Sequence, residues 1–209
     1  DVGICISKKR YSIIHNPIDL GIFKYEKKDI TQRKMILSIR PYASVKYAND
    51  LSVKAVLELS KKDYFDDLKF HFVGDGPLFD ETLKPLREFS NIKIQRCFIT
   101  QSEIANLHKD YGVFLSPTRM DAQGVSRDEA MASGLVPVTN NVAAIPEFVD
   151  ESCGILAPPE DAHALASGIV RLYENPELFQ SMSHNSAKRV RKTLDKSRII
   201  EQELVVFAR

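Results

Sequence analysis

Met35-Ile36-Leu37-Ser38-Ile39-Arg40-Pro41-Tyr42-Ala43-Ser44-Val45-Lys46 runs from a mainly apolar stretch into a loop that carries two cations. The next stretch, Tyr47–Ser60, changes period. Leu51, Ala55 and Leu59 recur every four residues with Val56 beside them, while Lys54, Glu58 and Lys61 fall elsewhere on the helical wheel. A strand, a turn and a helix with one apolar face, in immediate succession, form the repeating unit of a parallel sheet covered by helices. The alternation continues, with strands expected at Leu68–Val73, Ile92–Arg96, Gly112–Ser116, Leu135–Thr139 and Gly154–Leu156.

These units predict an α/β fold: a Rossmann-like doubly wound parallel sheet of about six strands with helices on both faces, over residues 35–192. Thr100 with Glu103, and Ser126 with Glu129, fit the reciprocal capping pattern at a helix start. Gly134 suits a left-handed helix stop, since it has no Cβ to clash at positive φ. Further helices are expected at Glu160–Tyr173 and Pro176–Lys192, with a terminal one, Ser197–Ala208, in the closing segment 193–209. Residues 1–34 break the rhythm: a strand-like run, Val2–Ile6, precedes His15-Asn16-Pro17-Ile18-Asp19 and the charged Lys24–Lys34, which reads as a linker.

At 209 residues, 44% hydrophobic and 27% charged, the chain has the make-up of one ordinary globular domain with a sizeable core. A formal charge of +1 gives no global field for nucleic acid or anionic lipid, so any anion needs a local site. The three cysteines, Cys5, Cys97 and Cys153, are odd in number and far apart, which argues for a reduced compartment and small core hydrophobes. No apolar stretch approaches the roughly 20 residues that span a bilayer, so a cytoplasmic location is expected. The five histidines, His15, His71 and His108 among them, do not cluster with carboxylates in a ligand spacing, and no metal is expected.

A doubly wound sheet binds ligands at the carboxyl ends of its strands. In the first such turn Arg40 and Lys46 suit a diphosphate, one as a planar fork and the other as a movable point charge; exposed cations in loops are also often solvated bystanders. In the second, Val73-Gly74-Asp75-Gly76-Pro77 allows backbone to approach a ligand, and a tight strand-to-helix turn explains it equally well. The third, Cys97-Phe98-Ile99-Thr100, precedes a capped helix and offers backbone groups to a base edge. The fourth places Asp121 and Glu129 eight positions apart, with Gly124 between them and a helix start near Ser126. Unpaired N–H groups at such a start favour phosphate, and carboxylates accept hydrogen bonds from sugar hydroxyls. Glu129 as a capping residue and Asp121 as an ordinary loop carboxylate are the plain alternatives.

The segment from Asp121 through Gly134, followed by Leu135-Val136-Pro137-Val138 and Ala143-Ala144-Ile145-Pro146-Glu147, resembles the signature of family 4 retaining glycosyltransferases. These are two-domain enzymes of GT-B architecture. Ile36–Lys46 is similar to that family's strand and cationic loop, Val73–Leu78 to its Val-Gly-x-Gly-Pro turn, and Ile14–Phe23 to its interdomain linker. Gly154-Ile155-Leu156 and Pro158–Asp161 are similar to its closing strand and helix start. Four departures are present: Asp121 replaces the usual Glu, Ser38 a common Gly, and Ala143–Ala144 a Gly pair, and the loop leading to Lys46 is long by one residue.

The resemblance implies that the chain is the donor-binding half of such an enzyme, with the N-terminal acceptor-binding half missing and residues 1–34 as its remnant and linker. Arg40 and Lys46 would contact the donor diphosphate, Glu129 the ribose and Asp121 the transferred sugar. Gly124, Val125 and Ser126 would line the sugar and phosphate pocket, with Gly74, Phe98 and Ile99 near the nucleotide. Asp121, Glu129, Arg40 and Lys46 would be the catalytic set. The implied substrate is a UDP- or GDP-sugar with no cofactor, and the implied acceptor a glycan or lipid-linked chain in polysaccharide or lipopolysaccharide synthesis. Membrane contact would fall to the missing half. A sugar-nucleotide epimerase of the same architecture and a non-catalytic sugar-nucleotide-binding subunit are the competing expectations.

Overall fold

A computed structural model of the chain describes residues 13–208; Val2–Ile6 lies outside them. Six strands, β1 (Met35–Ile39), β2 (Lys69–Gly74), β3 (Ile92–Arg96), β4 (Val113–Leu115), β5 (Val136–Asn140) and β6 (Ile155–Ala157), form one sheet in the order β3-β2-β1-β4-β5-β6. Every pairing is parallel. The chain builds outward from β1 to β3, then returns to place β4 on the other side of β1. That reversal opens a crevice at the carboxyl ends of β1 and β4.

The alternation of strand side chains divides the core. Ile36, Phe70, Phe72, Val113, Leu115, Val136 and Val138 join one large cluster with α1 (Asn49–Leu59), α2 (Phe79–Leu83) and α6 (Ala162–Glu174). Leu37, Val73 and Phe114 point to the opposite face and pack with Ala130 of α4 (Val125–Ala132). α3 (Gln101–Asp110) and α7 (Pro176–Thr193) also contact α4. Burying each of these aliphatic or aromatic side chains contributes about 1.5–3 kcal/mol. The doubly wound sheet expected from the period change is the fold observed.

Residues ahead of β1 pack onto the same body. Ile18 and Phe23 are buried with Met131, Ala132, Phe148, Val190 and Leu194. The Ile18 N–H donates to the Leu194 carbonyl at 2.8 Å, and its own carbonyl accepts from Lys196 N–H. The closing helix α8 (Lys196–Phe207) buries Ile199 and leaves Leu204, Val205 and Phe207 exposed.

Local signals mostly appear where expected. Thr100 and Glu103 form the capping box of α3, and Gly134 takes φ 89 at the end of α4. The helix expected from Tyr47 begins later, at Asn49. Ala48 adopts φ 51 and closes a short 3-10 turn over Val45–Tyr47. α2 follows the Val73–Pro77 strand-to-helix turn, while the four-residue α5 (Ile145–Phe148), too short to show a period, was not anticipated.

The capping box expected at Ser126 and Glu129 is absent, and that reading is corrected. Gly124, at φ 88, caps α4, and its carbonyl accepts from the N–H groups of Arg127 and Asp128. The helix therefore starts two residues earlier than the sequence pattern placed it, and Glu129 lies beyond the position from which a side chain reaches back to the cap.

Candidate functional site

The carboxyl ends of β1 to β4 surround a cavity of about 420 Å³. Its walls include Arg40 after β1, Gly74 at the end of β2, Phe98 and Ile99 after β3, Asp121 and Gly124 between β4 and α4, and Val125 and Ser126 at the start of α4. Eight of the ten residues singled out from the sequence thus meet in one space. Lys46 and Glu129 stand outside its wall. Tyr47, which the sequence pattern did not flag, belongs to it and holds the Arg40 guanidinium 5.3 Å and the Lys46 ammonium 5.0 Å from its ring centroid. Lys46 therefore sits at the rim beside the same aromatic ring.

Arg40 is the electrostatic centre. Its residue is only 5% exposed, Nη2 makes one long bond of 3.3 Å to the Pro117 carbonyl, and Nε has no partner. Among the described residues no carboxylate forms an ion pair with it. Burial pushes its pKa down, and the nearby Asp121 charge opposes that shift. A guanidinium withdrawn from water with donors unfilled is costly unless an anion completes its shell.

Asp121, also in the cavity wall, is half-buried, and its Oδ1 accepts from the Gln123 N–H at 3.1 Å. Glu129 is 7% exposed, and Oε1 accepts from Gln101 Nε2 at 3.1 Å. Desolvation pushes its carboxyl pKa up to about 7, with the Gln101 hydrogen bond opposing. Freed from capping, Glu129 can take a donor on its remaining oxygen. Phe98 is 91% exposed at the cavity mouth and offers a flat apolar face.

Two further groups shape the loop and escaped the sequence reading. Arg119 uses all five N–H donors: two on Asp50, two on Glu160 and one on the Val45 carbonyl. Its own N–H donates to the Lys46 carbonyl at 2.9 Å. Arg127 and Asp128 form an ion pair inside α4, 2% and 0% exposed. Gln123 joins them, donating to Asp128 Oδ2 at 3.1 Å and exchanging two hydrogen bonds with the Asn16 backbone. Arg127 to Ala132 are all buried, so α4 has no polar face whose period would have marked the pair.

Among the described residues no group of three or more His, Cys, Asp or Glu side chains is placed to hold a metal, and no helix is long and apolar enough to cross a membrane. His71, which bonds Tyr111 and Gln95, and His108, which bonds Ser133, are internal structural residues.

Comparison with known proteins places the chain in a family. A family model described as glycosyl transferases group 1 matches residues 33–175. The capsular polysaccharide biosynthesis glycosyltransferase CapM of Staphylococcus aureus is 31% identical over 104 residues, which is 49% of this chain and 27% of CapM. A TarM variant of S. aureus, solved with fondaparinux, α-GlcNAc-glycerol and UDP, superposes with a TM-score of 0.74 at 21% identity over 94% of this chain and 38% of its own. The C-terminal domain of LpcC, a glycosyl transferase group 1 family protein of Francisella tularensis, superposes with a TM-score of 0.71 at 18% identity over 86% of this chain and 99% of its own. The chain thus spans about a quarter of the curated relative and well under half of TarM. With the family model covering more than half of its residues and the parallel sheet of GT-B structures as its fold, the chain belongs to the glycosyl transferases group 1 family.

Proposed function

We propose that this chain is the donor-binding domain of a retaining glycosyltransferase, which moves a hexose from a nucleoside-diphosphate sugar to a glycan or lipid-linked acceptor in cell-surface polysaccharide synthesis. The observation that carries the reading is Arg40: a buried guanidinium with an unfilled Nε, in a cavity at the carboxyl ends of the central strands. A diphosphate supplies the anion this group lacks. The name of CapM and the UDP in the TarM complex point to the same chemistry.

In this reading the base lies along Phe98 and Ile99, Glu129 accepts from ribose hydroxyls and Asp121 from the transferred sugar. Arg40, Lys46 and the start of α4 hold the diphosphate. The bond between the anomeric carbon and the phosphate oxygen breaks with its electron pair passing to phosphate, and fixed positive groups stabilise the charge that develops there. Retention requires the acceptor oxygen to bond on the face the diphosphate leaves, so its proton passes to the departing phosphate oxygen. Neither a metal nor a cofactor is required. In this reading residues 35–192 are the donor domain, 1–34 the path from an acceptor domain and 193–209 a closing segment; the likeness to one C-terminal domain, that of LpcC, supports the fold of such a domain. The acceptor domain lies elsewhere, with any membrane contact, and the enzyme works in the cytoplasm. This chain alone transfers little.

Calorimetric titration with UDP-, GDP- and ADP-sugars tests the reading. One nucleotide class binds the wild-type chain, and Arg40→Ala and Glu129→Ala each weaken it at least tenfold. Equal binding of every compound by wild type and both variants overturns the assignment.

A further inference from the structure

Helix α4 carries its ion pair in an unusual place. Arg127 and Asp128 are adjacent in sequence and both fully enclosed, where paired apolar residues of similar volume would be no less stable. The orientation of the pair is specific. Asp128 Oδ1 takes Arg127 Nε at 3.1 Å and Nη2 at 2.6 Å, and the Gln123 carbonyl takes Nη2 as well. One edge of the guanidinium is thereby filled. The remaining corner, Nη1, is buried and has no partner.

That corner faces Gly124. A Cβ built on Gly124 would lie 2.8 Å from Nη1, so the guanidinium packs directly against the glycine backbone. Gly124 also lines the cavity, whose wall includes Arg40. The two guanidiniums feel each other: the Arg127 charge is one of the influences that lower the pKa of Arg40. Arg127 Nη1 thus lies unpartnered against a glycine of the cavity that Arg40 also lines, while Gln123 donates to the other Asp128 oxygen, Oδ2.

We propose that Arg127 is a positioning residue for the diphosphate, a second fixed positive charge that acts through the Gly124 backbone without touching the ligand. The inference rests on the donor-site reading above and extends it to a residue beyond the cavity wall. In the resting site the pair is a dipole whose positive end points at the loop. When a diphosphate occupies the cavity, the Arg127 charge strengthens its hold across a single peptide in a low-dielectric setting.

The test compares charged and neutral ligands on this chain. Arg127→Met/Asp128→Leu removes the dipole and keeps the volume. Its dissociation constants for UDP and GDP are set beside those for uridine and guanosine, at low and high salt. Expected are unchanged nucleoside affinity, about tenfold weaker diphosphate binding and a shallower salt dependence. Asp128→Asn gives an opposite and independent readout: it leaves the Arg127 charge unmasked, and diphosphate affinity rises severalfold. Unchanged diphosphate affinity in a folded double variant, or no gain in Asp128→Asn, overturns the inference while the donor-site reading stands. A wild-type chain that binds neither diphosphate overturns both.

Discussion

Arg119 grips Asp50 through two parallel hydrogen bonds, Nη1 to Oδ1 at 2.8 Å and Nη2 to Oδ2 at 2.9 Å. The same guanidinium takes both oxygens of Glu160 and the Val45 carbonyl, so one side chain ties the loops after β1, β4 and β6 to the start of α1. Lys46 and Asp121 sit on two of those loops, and the Arg119 N–H donates to the Lys46 carbonyl.

Replacing Arg119 by Lys keeps the charge but cannot reproduce two bidentate contacts. The expected outcome is a loss of about 1–2 kcal/mol in stability, modest because the carboxylates are partly exposed. Donor affinity falls further than this loss explains, since the Lys46 loop is released. Denaturant melts and calorimetry on the same variant check the two parts separately.

Glu129 makes folding sensitive to alkali. Its carboxyl pKa is raised from 4.5 to about 7, so the folded chain binds that proton more tightly than the unfolded chain does. The associated stability is complete below about pH 4.5 and is lost as pH rises through about 7. Glu129→Gln removes the ionisation, and above about pH 8 it is expected to be more stable than wild type by about 2 kcal/mol. Melting curves across the pH range settle this; parallel curves for the two proteins would mean that Glu129 titrates normally.

His108 produces the opposite slope. It is fully buried, its pKa is pushed down from 6.5 to about 3 by desolvation with Lys28 adding to the shift, and its Nε2 has no partner. The unfolded chain takes up this proton before the folded chain does. Stability is thus present above about pH 6.5 and is lost as pH falls toward about 3. By about pH 5 the loss amounts to about 2 kcal/mol. His108→Gln flattens the acid limb, measurable as a smaller fall in melting temperature between neutral and mildly acidic buffer.

Much of the fold was legible because its signals are local. The change of period between Met35–Ile39 and the helix that follows marks a strand-to-helix unit without reference to any other part of the chain. Thr100 with Glu103 defines a helix start from residues three apart, and Gly134 a helix stop from its lack of a Cβ. The gathering of Arg40, Gly74, Phe98, Asp121 and Gly124 follows from the doubly wound topology, which brings every strand-to-helix turn to one end of the sheet. The local pairing of Ser126 with Glu129 misled because Gly124 offered a left-handed cap two residues earlier.

The sequence by itself therefore determined the order of strands and helices, the family and the turns that meet at the crevice, since each depends on short-range pattern and backbone preference. Only the tertiary structure decided the charge state of the site. Whether Arg40 is a solvated bystander or a buried cation, whether Glu129 caps a helix or stands free with a raised pKa, and where the open corner of Arg127 points all depend on side chains distant in sequence that exclude water. Desolvation is a property of the packed core, and no run of neighbouring residues encodes it.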